Sequence, residues 1–191
     1  MKNSSGFTLI ELMITLAVVG TLLTVGIPSL KTFLQNNQLI AATNELLSAI
    51  HIARSEAIKQ NIAVTVCESS NGSSCSATGN WENGWIVFVD SNYSLTNTGA
   101  VCAASNTDCL LRIHDGFDAN QLKVSGLDVN DAAISSFTFT SRGRPRSAIG
   151  ASQFSLCSLD SDGQTVNSRA VVLSITGRVR VSDNSAVISC L

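Results

Sequence analysis

The sequence predicts an α+β fold, with one long N-terminal helix packed on an antiparallel β-sheet or sandwich domain. Three observations predict it. Residues 7–30 form a nearly uninterrupted apolar run. The apolar residues that follow recur at helical spacing to about residue 60. Beyond residue 60 the pattern changes to short β-branched runs separated by polar turns. The expected layout is a leader at 1–6, a transmembrane and assembly helix at 7–30, an amphipathic half of the same helix at 31–60, and a β-rich globular domain at 61–191.

The apolar run begins after a short polar segment ending in Gly6, and it contains one charge, Glu11. About 20 apolar residues suffice to cross a bilayer as a helix, and this run supplies them. A secretory signal would need a small-residue cleavage site after the run, and none is present. A carboxylate at the centre of a membrane helix costs on the order of 3 kcal/mol on insertion scales, so Glu11 calls for a partner. Thr8-x-x-Glu11 matches a capping box, in which the Glu side chain reaches back to the start of the helix. Pro28 fits a kink rather than a stop if the helix continues. Continuation is indicated by Leu39, Ala42, Leu46, Ala49, Ile50, Ala53 and Ala57, which share one helical face, with Gln38, Asn44, Ser48, Arg54, Ser55 and Lys59 on the other.

The β-rich part opens with an expected strand at 62–67. Further strands are expected at 85–90, 110–114, 122–124, 134–140, 153–158, 170–175 and 179–182, with a last one at 186–190. Charged residues are only 14% of the chain, and Ser, Thr, Asn and Gly fill the turns, as suits a secreted β domain. Six cysteines, Cys67, Cys75, Cys102, Cys109, Cys157 and Cys190, all follow the apolar segment and imply an oxidising compartment. Six cysteines allow fifteen pairings, among which sequence does not choose. Locality favours Cys67–Cys75 and Cys102–Cys109, which leaves Cys157–Cys190.

The net charge of −2 conceals an uneven distribution. Residues 61–130 carry two basic and seven acidic side chains; residues 131–191 carry six basic, all Arg, and four acidic. The Arg-rich end contains two G-R-x-R segments, Gly143-Arg144-Pro145-Arg146 and Gly177-Arg178-Val179-Arg180, the first preceded by Arg142. In an extended segment Arg142, Arg144 and Arg146 would share one face, as would Arg178 and Arg180. Guanidinium forks in a row suit a row of phosphates. The bland alternative is a solvated basic face, but three like charges this close repel without an anionic partner.

No metal, cofactor or catalytic set is legible. There is no C-x-x-C knuckle and there are two His, His51 and His114, neither at a catalytic spacing. Asp160-Ser161-Asp162-Gly163 lacks the later Glu of a calcium loop and reads as a turn. Trp81 and Trp85 flank a glycine turn and read as core or edge residues. The chain is therefore not expected to be an enzyme.

Gly6-Phe7-Thr8-Leu9-Ile10-Glu11-Leu12, followed by an apolar helix with Pro28, resembles the N-terminus of type IV pilins and pseudopilins. The resemblance implies cleavage after Gly6 by a prepilin peptidase and N-methylation of Phe7. It also implies pairing of Glu11 with the N-terminal amine of a neighbouring subunit. The segment Ala170–Arg180, an Ile/Val-rich strand running into Thr-Gly-Arg-Val-Arg, is similar to the C-terminal domain of H-type pseudopilins and FimT/FimU-type minor pilins. A Cys bridge to the C-terminus is frequent there. FimT-type minor pilins are associated with DNA uptake in natural transformation (competence), and their DNA binding is ascribed to a G-R-x-R motif. The implied function is a minor type IV pilin, anchored in the inner membrane with its β-domain in the periplasm and then assembled with other pilins into a surface fibre. It would bind extracellular double-stranded DNA through Arg142, Arg144, Arg146, Arg178 and Arg180. The alternative is a structural or priming minor pilin, or an H-type pseudopilin of type II secretion, with no DNA binding.

Overall fold

The structure is a computed structural model, described here for residues 6–95, 102, 108–146, 152–183 and 190. One helix, α1 (Leu9–Gln60), is followed by eight strands: β1 (Val64–Glu68), β2 (Gly84–Val89), β3 (Leu110–Asp115), β4 (Leu122–Leu127), β5 (Ser136–Phe139), β6 (Ser152–Leu159), β7 (Thr165–Leu173) and β8 (Val179–Ser182). They form two four-stranded sheets, ordered β3-β2-β1-β5 and β4-β6-β7-β8, antiparallel throughout. The chain divides into two compact units, the first ending at Asn37 and the second covering Gln38–Leu191.

In the first unit α1 starts on a complete capping box. The Thr8 backbone N–H and hydroxyl both donate to Glu11 Oε2, at 3.2 and 3.1 Å, and the Glu11 N–H donates to Thr8 Oγ1 at 3.3 Å. The large apolar side chains described from Phe7 to Leu34 are all exposed, around every side of the helix. The hydroxyls of Thr15, Thr21 and Thr24 donate back to carbonyls three residues earlier, so they present no unpaired donor to an apolar medium. Among the described residues α1 alone is long and apolar enough to cross a membrane. It continues through position 28 without a break. The leader residues 1–5 lie outside the described residues.

In the second unit the rest of α1 becomes one-faced. Leu39, Ala42, Leu46, Ala49, Ile50, Ala53 and Ala57 are buried. The helix ends in a Schellman motif. Asn61 takes a left-handed φ of 54°, its N–H donates to Ile58 O, and the Ile62 N–H donates to Ala57 O. The small Ala face lets the helix lie close on a core shared by both sheets. Val64, Val66, Trp85, Val87, Phe137 and Phe139 come from the first sheet; Leu122, Val124, Phe154, Leu156, Val171 and Leu173 come from the second. A 3-10 turn at Trp81–Asn83 drives Trp81 into this core, where its indole N–H donates to Ile134 O at 2.7 Å and its ring meets Phe154 edge-on at 5.0 Å. Trp85 is buried in the same core, stacked on His114 at 3.9 Å. Each fully buried Val, Leu or Phe of this core contributes roughly 1.5–3 kcal/mol by area.

The first sheet is covered on both faces. Cys67, Ile86, Phe88 and Leu110 form a second small cluster on the side away from the helix, with Cys75 packed on it. Disulfides join Cys67 to Cys75, Cys102 to Cys109 and Cys157 to Cys190. Glu68, fully buried, accepts the Thr78 and Gly79 backbone N–H groups and so fixes the polar loop after β1. The hairpin from β6 to β7 turns on Asp160, whose Oδ1 accepts the Asp162 and Gln164 N–H groups. The strand expected at 186–190 lies outside the described residues except for Cys190.

Candidate functional site

The five candidate arginines sit on two hairpin turns of the same build. In the first, the Gly143 N–H donates to Thr140 O (2.8 Å) and the Thr140 N–H to Arg144 O (2.9 Å). In the second, the Gly177 N–H donates to Ser174 O (2.8 Å) and the Ser174 N–H to Arg178 O (2.8 Å). Both glycines hold a left-handed φ, 70° and 78°, as the last residue of a three-residue hairpin loop requires. The leading hydroxyl residue braces each turn. Thr140 Oγ1 donates to Arg144 O at 3.0 Å, and Ser174 Oγ accepts the Arg178 N–H at 3.0 Å. The shared frame is thus Thr/Ser-x-x-Gly-Arg-x-Arg, longer than G-R-x-R.

Beyond each glycine the chain is extended. Pro145 bridges to Phe139 and is buried, while Arg144 and Arg146 on either side are exposed. Val179, opposite Leu173, is half-buried and packs on the core, while Arg178 and Arg180 are exposed. Arg142 differs from the expectation. It lies inside the turn, before the left-handed glycine, so strand alternation does not place it with Arg144 and Arg146. All three nevertheless line one open depression of ≈ 590 Å³, together with Ile175 of the second turn. Arg178 and Arg180 line another, with Ser174 and Thr176.

The two turns touch. A Cβ added to Gly177 would collide with the Gly143 carbonyl oxygen, and one added to Gly143 would lie 2.5 Å from Ile58 Cδ1. The first turn prolongs β5 of one sheet and the second joins β7 to β8 of the other, so the two G-R-x-R copies meet at the seam between the sheets. Among the described residues the ion pairs are Lys59–Glu56, His114–Glu45 and Arg169–Asp183, and none involves the five arginines.

Two contributors were not legible in the sequence. Arg54, on the polar face of α1, reaches the seam, and its Nη1 donates to Gly177 O at 2.7 Å. Tyr93 lies under Arg146, whose Cζ is 4.2 Å from the ring centroid. Tyr93 is delivered there by a turn on buried Asp90, which accepts the Tyr93 N–H at its carbonyl and the Ser94 N–H at Oδ1. The shared hydroxyl four residues before each arginine pair was a readable signal; nothing in the sequence pointed to Tyr93.

The remaining candidates fall elsewhere. Gly6 and Phe7 precede α1 and are exposed, and Glu11 is engaged by Thr8. His114 Nε2 lies 2.6 Å from Glu45 Oε2 and its ring packs on Trp85 and Phe117, while His51 is exposed.

A methylation-type N-terminus on an apolar helix that runs into a two-sheet β unit defines a minor pilin or pseudopilin, a subunit of a type IV pilus or of a type II secretion system. The chain matches the family model for Type II transport protein GspH over residues 42–177 and that for the prokaryotic N-terminal methylation motif over residues 1–27. It belongs to the GspH family. The crystal structure of the type IV minor pilin FimU of Pseudomonas aeruginosa (strain PAO1) is similar, with a TM-score of 0.53 and 25% identity over 78% of this chain and 92% of that one. A second crystal form of FimU gives 0.49 and 23%, over 74% and 90%. The minor pseudopilin EpsH from the type 2 secretion system of Vibrio cholerae gives 0.47 and 9%, over 75% and 94%. No curated protein sequence matches the chain. The family is one of structural subunits, and membership implies membrane anchoring, prepilin-peptidase processing and association with other pilins.

Proposed function

We propose that this chain is a minor type IV pilin that binds extracellular double-stranded DNA for uptake in natural transformation. A leader at 1–6 is cut after Gly6, and Phe7 is then methylated. Residues 7–30 hold the subunit in the inner membrane, with 31–60 leading into the β-rich domain at 61–191 on the periplasmic side, and Glu11 pairs with a neighbouring subunit's amine in the fibre. The subunit binds rather than catalyses. One observation carries the DNA reading: five exposed arginines on two touching turns, none paired with a carboxylate among the described residues. Such an array meets phosphates without reading bases, so binding is not sequence-specific.

The test is binding of the full chain in a nonionic detergent to a fluorescent duplex across a salt series. If all five arginines meet phosphates, the log–log salt slope is about −4.5, and going from ~50 to ~200 mM salt weakens binding roughly 500-fold. Replacing Arg142, Arg144 and Arg146 by Gln flattens the slope to about −2. Absence of binding at low salt, or a slope indifferent to those substitutions, overturns the reading. A second reading is favoured by the likeness to FimU and by the GspH match. It is a structural or priming minor pilin, or a type II secretion pseudopilin, whose arginines dock on acidic partner subunits. It would leave the duplex unbound while the same Gln substitutions impair co-assembly.

A further inference from the structure

Arg54 stands out because it is a half-buried cation aimed at backbone. Its Nη1 donates to the Gly177 carbonyl at 2.7 Å, and its Nε is buried without a hydrogen-bond partner. The glycines of both turns lie against it: a Cβ at Gly143 would be 3.3 Å from that Nε, and one at Gly177 would be 3.2 Å away. Ile58, one helical turn further along α1, packs under Gly143. The guanidinium therefore lies where the two turns meet and belongs to a rigid helix that neither sheet contains. A charged donor held to a carbonyl in a partly buried setting makes a strong bond. Its planar fork is oriented as a lysine's point charge is not.

We infer that Arg54 is a positioning residue that locks the two turns into one rigid array, and that the array is thereby matched to a ligand of fixed phosphate spacing, a duplex, over single-stranded DNA. This rests on the DNA-binding reading for its ligand and on the seam geometry for the lock. The physical basis is preorganisation. Turns already fixed lose less ordering entropy on meeting a rigid phosphate array, though the exposed arginine side chains still order, whereas a flexible single strand adapts to turns that are fixed or loose. Without Arg54 the two turns still abut at Gly143 and Gly177 but lose the bond that holds the second turn to the helix, and their relative motion grows. The duplex then loses the benefit and the single strand keeps most of its affinity.

The experiment compares wild type, Arg54→Met and Arg54→Lys as full chains in detergent. Affinity is measured for a duplex and for a single strand of equal length, alongside amide hydrogen exchange at Gly143 and Gly177. Arg54→Met is expected to weaken duplex binding about 10-fold and single-strand binding no more than about 2-fold, with Arg54→Lys between. Exchange at both glycine amides is expected to rise in Arg54→Met while amides of β6 stay protected. An equal loss for both DNAs overturns the duplex preference, because a purely structural defect lowers both alike. Unchanged exchange overturns the lock, whatever the DNA result. A wild-type chain that binds neither DNA defeats the binding reading and the duplex preference together, and the lock is then judged on exchange alone.

Discussion

Gly177→Ala should destabilise the second unit far more than an ordinary glycine substitution. The φ of 78° alone costs an alanine about 1 kcal/mol. The new methyl would also strike the Gly143 carbonyl oxygen, a backbone atom that yields only if the whole first turn moves. Together these effects give about 2–4 kcal/mol. Gly163 supplies the control: its φ is 76°, yet a Cβ there meets nothing within 4 Å, so Gly163→Ala carries only the backbone cost of about 1 kcal/mol. Gly143→Ala falls between, because what it strikes is the flexible end of Ile58. At about 2–4 °C per kcal/mol for a unit of this size, circular dichroism melts should show losses of roughly 2–4 °C for Gly163→Ala and 5–15 °C for Gly177→Ala. If the two variants melt together, the turns do not touch as described and the reasoning fails.

Phe154→Ala removes a fully buried ring that meets both Trp81 and Phe137; a loss of about 3–5 kcal/mol is expected in urea denaturation, and one below about 1 kcal/mol would contradict this core. Acid should weaken the fold. The Ala132 and Asn130 backbone N–H groups hold the Asp128 carboxyl below its ordinary value of 3.8, and the Asn120 N–H does the same for Asp118. A depressed folded pKa means stability that is present above pH ~4 and lost as pH falls through the folded value, so Asp128→Asn should flatten the acid limb of a melting-temperature profile; an unchanged limb counts against it. Glu11→Leu should insert into membranes as wild type does but be missing from sheared fibres. Normal incorporation would remove Glu11 from assembly.

Much of the fold was legible because its signals are local. The periodicity from Leu39 to Ala57 located the apolar residues of the buried helix face, though not Thr43, which is buried with them. Trp85–Val89 was readable as a strand because it is buried on both faces, which makes its apolar run continuous. The first half of β7, Thr165 to Arg169, was missed: Thr, Val, Asn, Ser and Arg there are exposed or half-buried and show no alternation. The division into two sheets depends on pairings far apart in the chain, such as β1 with β5. The same limit governs the site. Each G-R-x-R was visible alone, but that Gly143 and Gly177 abut is a long-range fact. Arg54 borders the buried face, with Ile50 and Ala57 one turn to either side, but its charge grouped it with the polar residues.

The cap at the start of α1 changes how the apolar segment's one charge behaves. Thr8 gives Glu11 two hydrogen-bond donors that travel with the subunit, so a lone chain in the bilayer does not hold a bare carboxylate. In the proposed pairing, a neighbour's amine would add the positive charge that these neutral donors do not supply, so the Thr8 cap holds the carboxylate in place for that contact and does not substitute for it.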